Sequence, residues 1–200
     1  MRVGARPGGG LYRRAELKMQ PTETSGLTYT LYEVLDTTIE VQGADFGDIQ
    51  LYDESTQTLK TVAHRGLDQK FLDYFATVDA REASGCGLAL RSGTRIIIED
   101  VNTDPDFEPH RAIAASTGFR GVQSTPFIDR ISGKPLGMLS TRFRQPYRPL
   151  ARELLLTDLL ARQAADVIEA RRDYRRSWLS FPGLLDYSTP KGGCCCGEAR

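Results

Sequence analysis

Two histidines and four cysteines are the residues of this chain best suited to chemistry. Cys86 stands alone between Gly85 and Gly87, whereas Cys194, Cys195 and Cys196 are consecutive. No C-x-x-C pair exists to hold zinc or pass a disulfide, and three adjacent cysteines are not a disulfide framework. Cys86, small and flanked by glycines, reads as a packed core thiol. His64 ends a strand-like run and reads as structural, while His110 lies on a segment with helical signals and is the more interesting of the two. The run Asp100-Val101-Asn102-Thr103-Asp104 looks like the opening of a calcium loop. Its sixth position needs Gly and holds Pro105; its twelfth needs a bidentate Glu and holds Arg111. These carboxylates are instead expected to bind the backbone of a turn, with Asp106 capping the next helix. Gly8, Gly9 and Gly10 lack the Gly-Lys-Ser/Thr of a phosphate loop, and no G-x-S-x-G is present. Arg142, Arg144, Arg148 and Arg152 crowd one junction without aromatic platforms and read as a solvated edge, not a nucleic-acid site. No catalytic constellation emerges, so the chain is read as a non-enzyme without a metal.

The elements that must position these residues belong to an ordinary globular composition. The chain has 200 residues, 40% apolar and 26% charged, with 26 basic and 26 acidic side chains. That length buries a core without staples, and the balance creates no field that gathers nucleic acid. The charge is unevenly spread, since residues 21–170 hold 15 basic and 22 acidic side chains between two basic ends. No apolar run reaches the ~20 residues that span a bilayer, and Arg2 and Arg6 are followed by no apolar signal region. The cysteine usage fits a reducing compartment, so the expected location is cytoplasmic and off the membrane.

The pattern along the chain divides it into a flexible leader (1–26), a folded domain (27–172) and a disordered tail (173–200). Leu27, Leu31, Val34, Leu35 and Ile39 recur at helical spacing up to Gly43. Gly47, Ile49 and Leu51 then alternate with Asp48, Gln50 and Tyr52, and Thr58–His64 runs back as the second strand of a hairpin. Short helices are expected around Phe71–Phe75 and Cys86–Leu90, a buried strand at Ile96–Ile98, and a helix over Asp106–Thr117 ended by Gly118. A second strand pair, Gly121–Asp129 and Pro135–Phe143, turns through Ser132-Gly133. A long helix follows from about Pro149, with a stripe that includes Leu155, Leu159, Val167 and Ile168, before the pattern collapses from Ser177. This order predicts an α+β fold, a central antiparallel sheet of five or six strands with helices packed on it and long terminal helices lying together.

These segments resemble a GAF domain, of the variety found beside PAS domains and histidine kinases in bacterial signalling proteins. The resemblance rests on Ala44–Leu51, Val62–Gly66, Glu99-Asp100-Val101 with Asp104-Pro105, Gly118–Pro126 and Gly133–Ser140, in that order, and spans about Leu27 to Arg172. It implies a small-molecule pocket between the sheet and the small helices, and terminal helices that pair in a homodimer. In bilin-binding relatives a His at the spacing of His110 lies against the chromophore and often follows the attaching Cys; here Pro109 precedes it, so no covalent bilin is expected there. The methionine sulfoxide reductases built on this fold need a resolving thiol, and no second Cys lies in the predicted domain.

The reading is therefore a small-molecule-sensing regulatory module in signal transduction. Its ligand is unnamed by the sequence, and its pocket is coupled to the terminal helices. The alternatives are a redox or hydrolytic enzyme on the same fold and a ligand-free dimerisation module. Polar residues within apolar segments give the expected ligand-binding set: Gln50, Tyr52, His110, Gln123, Thr125 and Ser140. The about 25 residues after Arg176 are too few for an output domain. The chain is thus expected to be either a stand-alone regulator, with a separate histidine kinase or other output protein as partner, or a fragment of a larger sensor.

Overall fold

The computed structural model describes residues 23–179, with side chains for residues 26–173. The expected leader up to residue 22, and the tail from residue 180 with Cys194–Cys196, lie outside the described residues. Helix α1 covers Glu23–Gln42, four residues earlier than the Leu27 start that apolar spacing suggests. Strands β1 (Phe46–Asp53) and β2 (Thr58–Arg65) form the expected hairpin. Its turn is fixed by Asp53, whose Oδ1 accepts from the Ser55 backbone N–H at 3.0 Å. The short helices α2 (Gln69–Tyr74) and α3 (Gly85–Ser92) are capped by Asp68 and Ser84, whose side chains accept from the Phe71 and Gly87 backbone N–H groups.

Strand β3 (Ile96–Ile98) is not the buried strand expected: it is an edge strand in which Ile98 alone is buried and Ile97 is exposed, and it leads into a turn-rich segment where the expected single helix is divided. A 3-10 turn, Glu108–His110, precedes α4 (Arg111–Thr117). Pro109 has no N–H to donate, which suits it to the first turn but not to a helix interior. Asp106 caps neither element: Phe107 precedes the 3-10 turn and His110 precedes α4, neither with a side-chain cap hydrogen bond, and Asp104 accepts from the Phe107 N–H at 3.1 Å within the preceding turn. Asp100 accepts from the Asn102 N–H at 3.1 Å, so both act on the backbone as expected. Strands β4 (Gly121–Ile128) and β5 (Pro135–Phe143) form the second pair. Helix α5 covers Ala151–Leu179, past the Ser177 limit read from the pattern.

The five strands form one antiparallel sheet in the order β2-β1-β5-β4-β3. Each face buries its own apolar cluster. On one face α1 and α5 lie antiparallel, the end of α1 meeting the start of α5 through Gln42 and Thr157. Leu31, Leu35, Ile49, Phe127, Leu139, Ala164 and Ile168 fill that layer. On the other face the connecting segments with α2, α3 and α4 bury Phe71, Phe75, Cys86, Phe107, Phe119, Val122 and Met138. Full burial of one such side chain stabilises by about 1.5–3 kcal/mol, so both layers matter to folding. Two glycines are required by contact. A Cβ on Gly137 would lie 2.4 Å from the Gln50 carbonyl oxygen, and one on Gly87 2.4 Å from that of Glu82.

Candidate functional site

Strand alternation decides what the α2–α4 layer sees of the sheet. Asp48 and Gln50 of β1, Ser140 and Arg142 of β5, and Val122 and Ser124 of β4 project to that side. Asp48 pairs in register with Ser140, and Ser140 with Ser124, so three polar residues form a row across the three strands. Ser124 Oγ and Ser140 Oγ are 2.9 Å apart. Cys86 of α3 closes the row from above, its Sγ 3.1 Å from Ser140 Oγ and 3.6 Å from Ser124 Oγ. Beside the row Arg142 pairs with Asp48, both almost fully buried. The Arg142 guanidinium also lies 4.5 Å from the centre of the Phe71 ring.

A small cavity lies over this floor, with Gln50, Cys86 and Arg142 on its polar side and Phe75, Phe107 and Phe119 on its apolar side. Its free space is about that of one water molecule. Burial pushes the Cys86 thiol above its ordinary pKa, and the nearby Asp48 charge adds to the effect. The thiol therefore stays protonated at neutral pH and is a poor nucleophile. With Cys194–Cys196 replaced by Ser, native protein should react with a thiol reagent at least about a thousandfold more slowly than unfolded protein. A stopped-flow labelling trace checks this; fast native labelling would show an accessible thiolate.

The six residues expected to bind ligand do not all meet at this cavity. Gln50 lines it, and Ser140 lies in the polar row beneath it. Tyr52 is on the same face, partly buried against the apolar cluster. His110 stands behind the wall: its ring centre is 5.5 Å from that of Phe75 and 5.4 Å from that of Phe107, and Tyr74 Oη lies 3.1 Å from its Nδ1. Gln123 and Thr125 are on the opposite face. Gln123 Nε2 donates to Thr125 Oγ1, which also accepts from Arg95, and Arg95 in turn pairs with Asp158 of α5. Period-two alternation gave these two the same side, but the inward position on β4 belongs to Ser124.

Burial also lowers the pKa of His110, because the imidazolium is disfavoured among aromatic rings. The unfolded chain then takes up this proton first as pH falls below the ordinary value of 6.5. The His110 contribution is thus intact above that pH and lost as pH falls towards the lower folded value. Urea titrations should show His110→Gln flattening the stability loss below that pH; an unchanged slope would place the dependence elsewhere.

Asp48, Arg142 and Ser124 are the site residues that the sequence reading missed. Arg142 in particular was assigned to a solvated edge and is buried. The signal was present: Met138, Ser140 and Arg142 share one parity on β5, and Asp48 shares the parity of Gln50 on β1. The opposite face of β5 carries a second polar link. Thr141 Oγ1 donates to Gln42 Oε1 of α1 at 2.5 Å, and Gln42 Nε2 donates to Thr157 Oγ1 of α5 at 2.7 Å. One strand thus lines the cavity through Arg142 and is linked through Thr141 to Gln42 of α1, which relays the contact to Thr157 of α5.

The same architecture recurs in solved structures. A domain from Sinorhizobium meliloti 1021, described as part of a two-component sensor histidine kinase, is 20% identical with a TM-score of 0.60, covering 79% of this chain and 99% of that one. The PixJ GAF domain of Thermosynechococcus elongatus, in its blue-light-absorbing form, is 15% identical with a TM-score of 0.60, covering 82% and 96%. Free methionine-R-sulfoxide reductase from Neisseria meningitidis is 20% identical with a TM-score of 0.58, covering 75% and 86%. At these identities the likeness is one of fold. No curated protein matches the sequence. Among the described residues no helix is long and apolar enough to cross a membrane. The GAF domain family matches residues 25–169, most of the chain and nearly all of the described fold, and the chain belongs to that family.

Proposed function

We propose that this GAF domain is a regulatory module that reads a small molecule over the β1–β5–β4 floor and passes its occupancy to α1 and α5. The observation that carries this reading is β5 itself. Arg142 lines the cavity, Ser140 lies beneath it under Cys86, and Thr141 between them is hydrogen-bonded to Gln42 of α1, which in turn bonds Thr157 of α5. A ligand that favours one arrangement of Arg142 and Asp48 has a short physical route to the helices. The sensor kinase domain among the structural neighbours supports a signalling setting. The output partner is then a histidine kinase or other effector, within reach of the terminal helices.

The module acts as a homodimer in this reading. Leu155, Leu156 and Leu159 of α5 are 61%, 42% and 50% exposed, whereas Ala161, Ala164, Ala165 and Ile168 seal the same helix onto the domain. A two-fold axis beside α5 brings two identical leucine patches together. Of the stripe read from sequence, Leu155 and Leu159 are outward, Val167 is half-buried and Ile168 belongs to the core.

Catalysis is not part of the proposal, because the one thiol at the site is buried and held protonated. A covalent bilin is not part of it either, since Pro109 stands before His110. A specific observation favours one competing reading: the cavity holds about one water, as a ligand-free dimerisation module would have. Hydrogen–deuterium exchange separates the two. Protein as purified, compared with the same protein stripped by unfolding and refolding, should differ in exchange at β1 and β5 and also in α1 and α5. Identical exchange in both samples favours the closed module.

A further inference from the structure

We propose that the cavity selects a small, flat, electrically neutral molecule with an N–H donor beside a carbonyl, of the carboxamide type; this rests on the ligand-reading function proposed above. Gln50 is 2% exposed and lines the cavity, and its Oε1 has no hydrogen-bond partner. Two positions earlier on the same face, Asp48 is 1% exposed; its Oδ1 is taken by Arg142 and its Oδ2 has no partner. The two backbone positions are about 7 Å apart in a strand. Buried acceptors are normally satisfied, and leaving one open is costly, so this floor is incomplete in polar terms. Asp48 lies behind Arg142 and does not line the cavity; the open group that does, Gln50 Oε1, accepts, so the occupant must donate to it.

Charge narrows the class. Asp48 and Arg142 neutralise each other, and the remaining polar side chains of the lining, Gln50, Ser84 and the Cys86 thiol, carry no charge. A lone cation or anion would enter without a counter-charge in a buried space, whereas a neutral donor would not. Arg142 adds the complementary half, since a guanidinium carries five N–H donors and Nη1 serves Asp48. A carboxamide can give N–H to Gln50 and receive from Arg142. Phe75, Phe107 and Phe119 form the wall against which a flat molecule packs. Phe75 ends α2 and Phe107 caps the 3-10 turn, so short elements hold two of the rings that must yield to admit it. The unpartnered Gln123 Oε1 is on the other face and does not line this cavity.

Four isosteric probes test the class on the isotope-labelled full chain by NMR titration: acetamide, acetate, acetamidinium and acetone. Acetamide should move the amide resonances of Gln50, Phe119 and Val122 and bind at least about tenfold more tightly than each of the others. Gln50→Met, which keeps volume and removes the open acceptor, should abolish those shifts. Equal or tighter binding of acetate, acetamidinium or acetone at these residues would overturn the ligand class while leaving a ligand pocket in place. Acetamide binding unchanged in Gln50→Met would overturn the assigned floor. Silence of all four probes would leave water as the occupant and overturn both the class and the ligand-reading function.

Discussion

Arg142→Met should cost about 3–5 kcal/mol of folding stability, because it strands the Asp48 carboxylate in the interior. Domains of this size have about 5–15 kcal/mol in total, so the variant should sit close to unfolding. The double variant Asp48→Asn/Arg142→Met should recover most of the loss, since it removes the stranded charge along with its partner. That recovery separates an ion-pair effect from lost packing against Phe71 and Phe119, which the double variant still suffers. Urea midpoints on the three proteins give the coupling directly. A loss under about 1 kcal/mol in the single variant would place the pair in solvent and remove the polar floor from the account.

Leu155→Glu/Leu159→Glu should convert a dimer into a folded monomer. Each chain would bring two carboxylates to the middle of an apolar contact, so a symmetric interface would bury four like charges at once. Weakening of at least about a thousandfold is expected, equivalent to about 4 kcal/mol. Both leucines are outward in the monomer, so the fold itself should be unaffected. The same change at Ile168 should unfold the protein, because that side chain is sealed in the core. Sedimentation velocity with a circular-dichroism control reads both results. A wild-type chain that remains monomeric at about 100 μM, a concentration where stable dimers are complete, would end the dimer proposal.

The strands were legible in the sequence because their signals are local. The β-branched run at Ile96–Ile98 and the alternation at β1 are strands where apolar side chains and turn residues place them, although the isoleucine run lies at the sheet edge with only Ile98 buried. The helix ends were less so. Apolar spacing starts at Leu27 and fades at Ser177, but α1 is described from Glu23 and α5 to Leu179; helices continue through polar residues when nothing stops them. The site was half legible. Gln50 and Ser140 stood out as polar residues within apolar runs. Gln123 and Thr125 looked the same by that criterion, and only the pairing of β4 with β5 shows that Ser124 is the inward residue. Arg142 was missed because an arginine near a strand end normally reaches water. Its burial depends on Asp48, a partner 94 positions away that no local pattern connects to it.

The most direct test of the central claim is native mass spectrometry of the freshly purified chain, which reads assembly and occupancy in one spectrum. The account expects the mass of two chains with a small molecule retained on each, released when the protein is unfolded. A spectrum of single chains with no adduct would contradict it, since neither the pocket nor the helix pair would then be doing what the β5 linkage is proposed to couple.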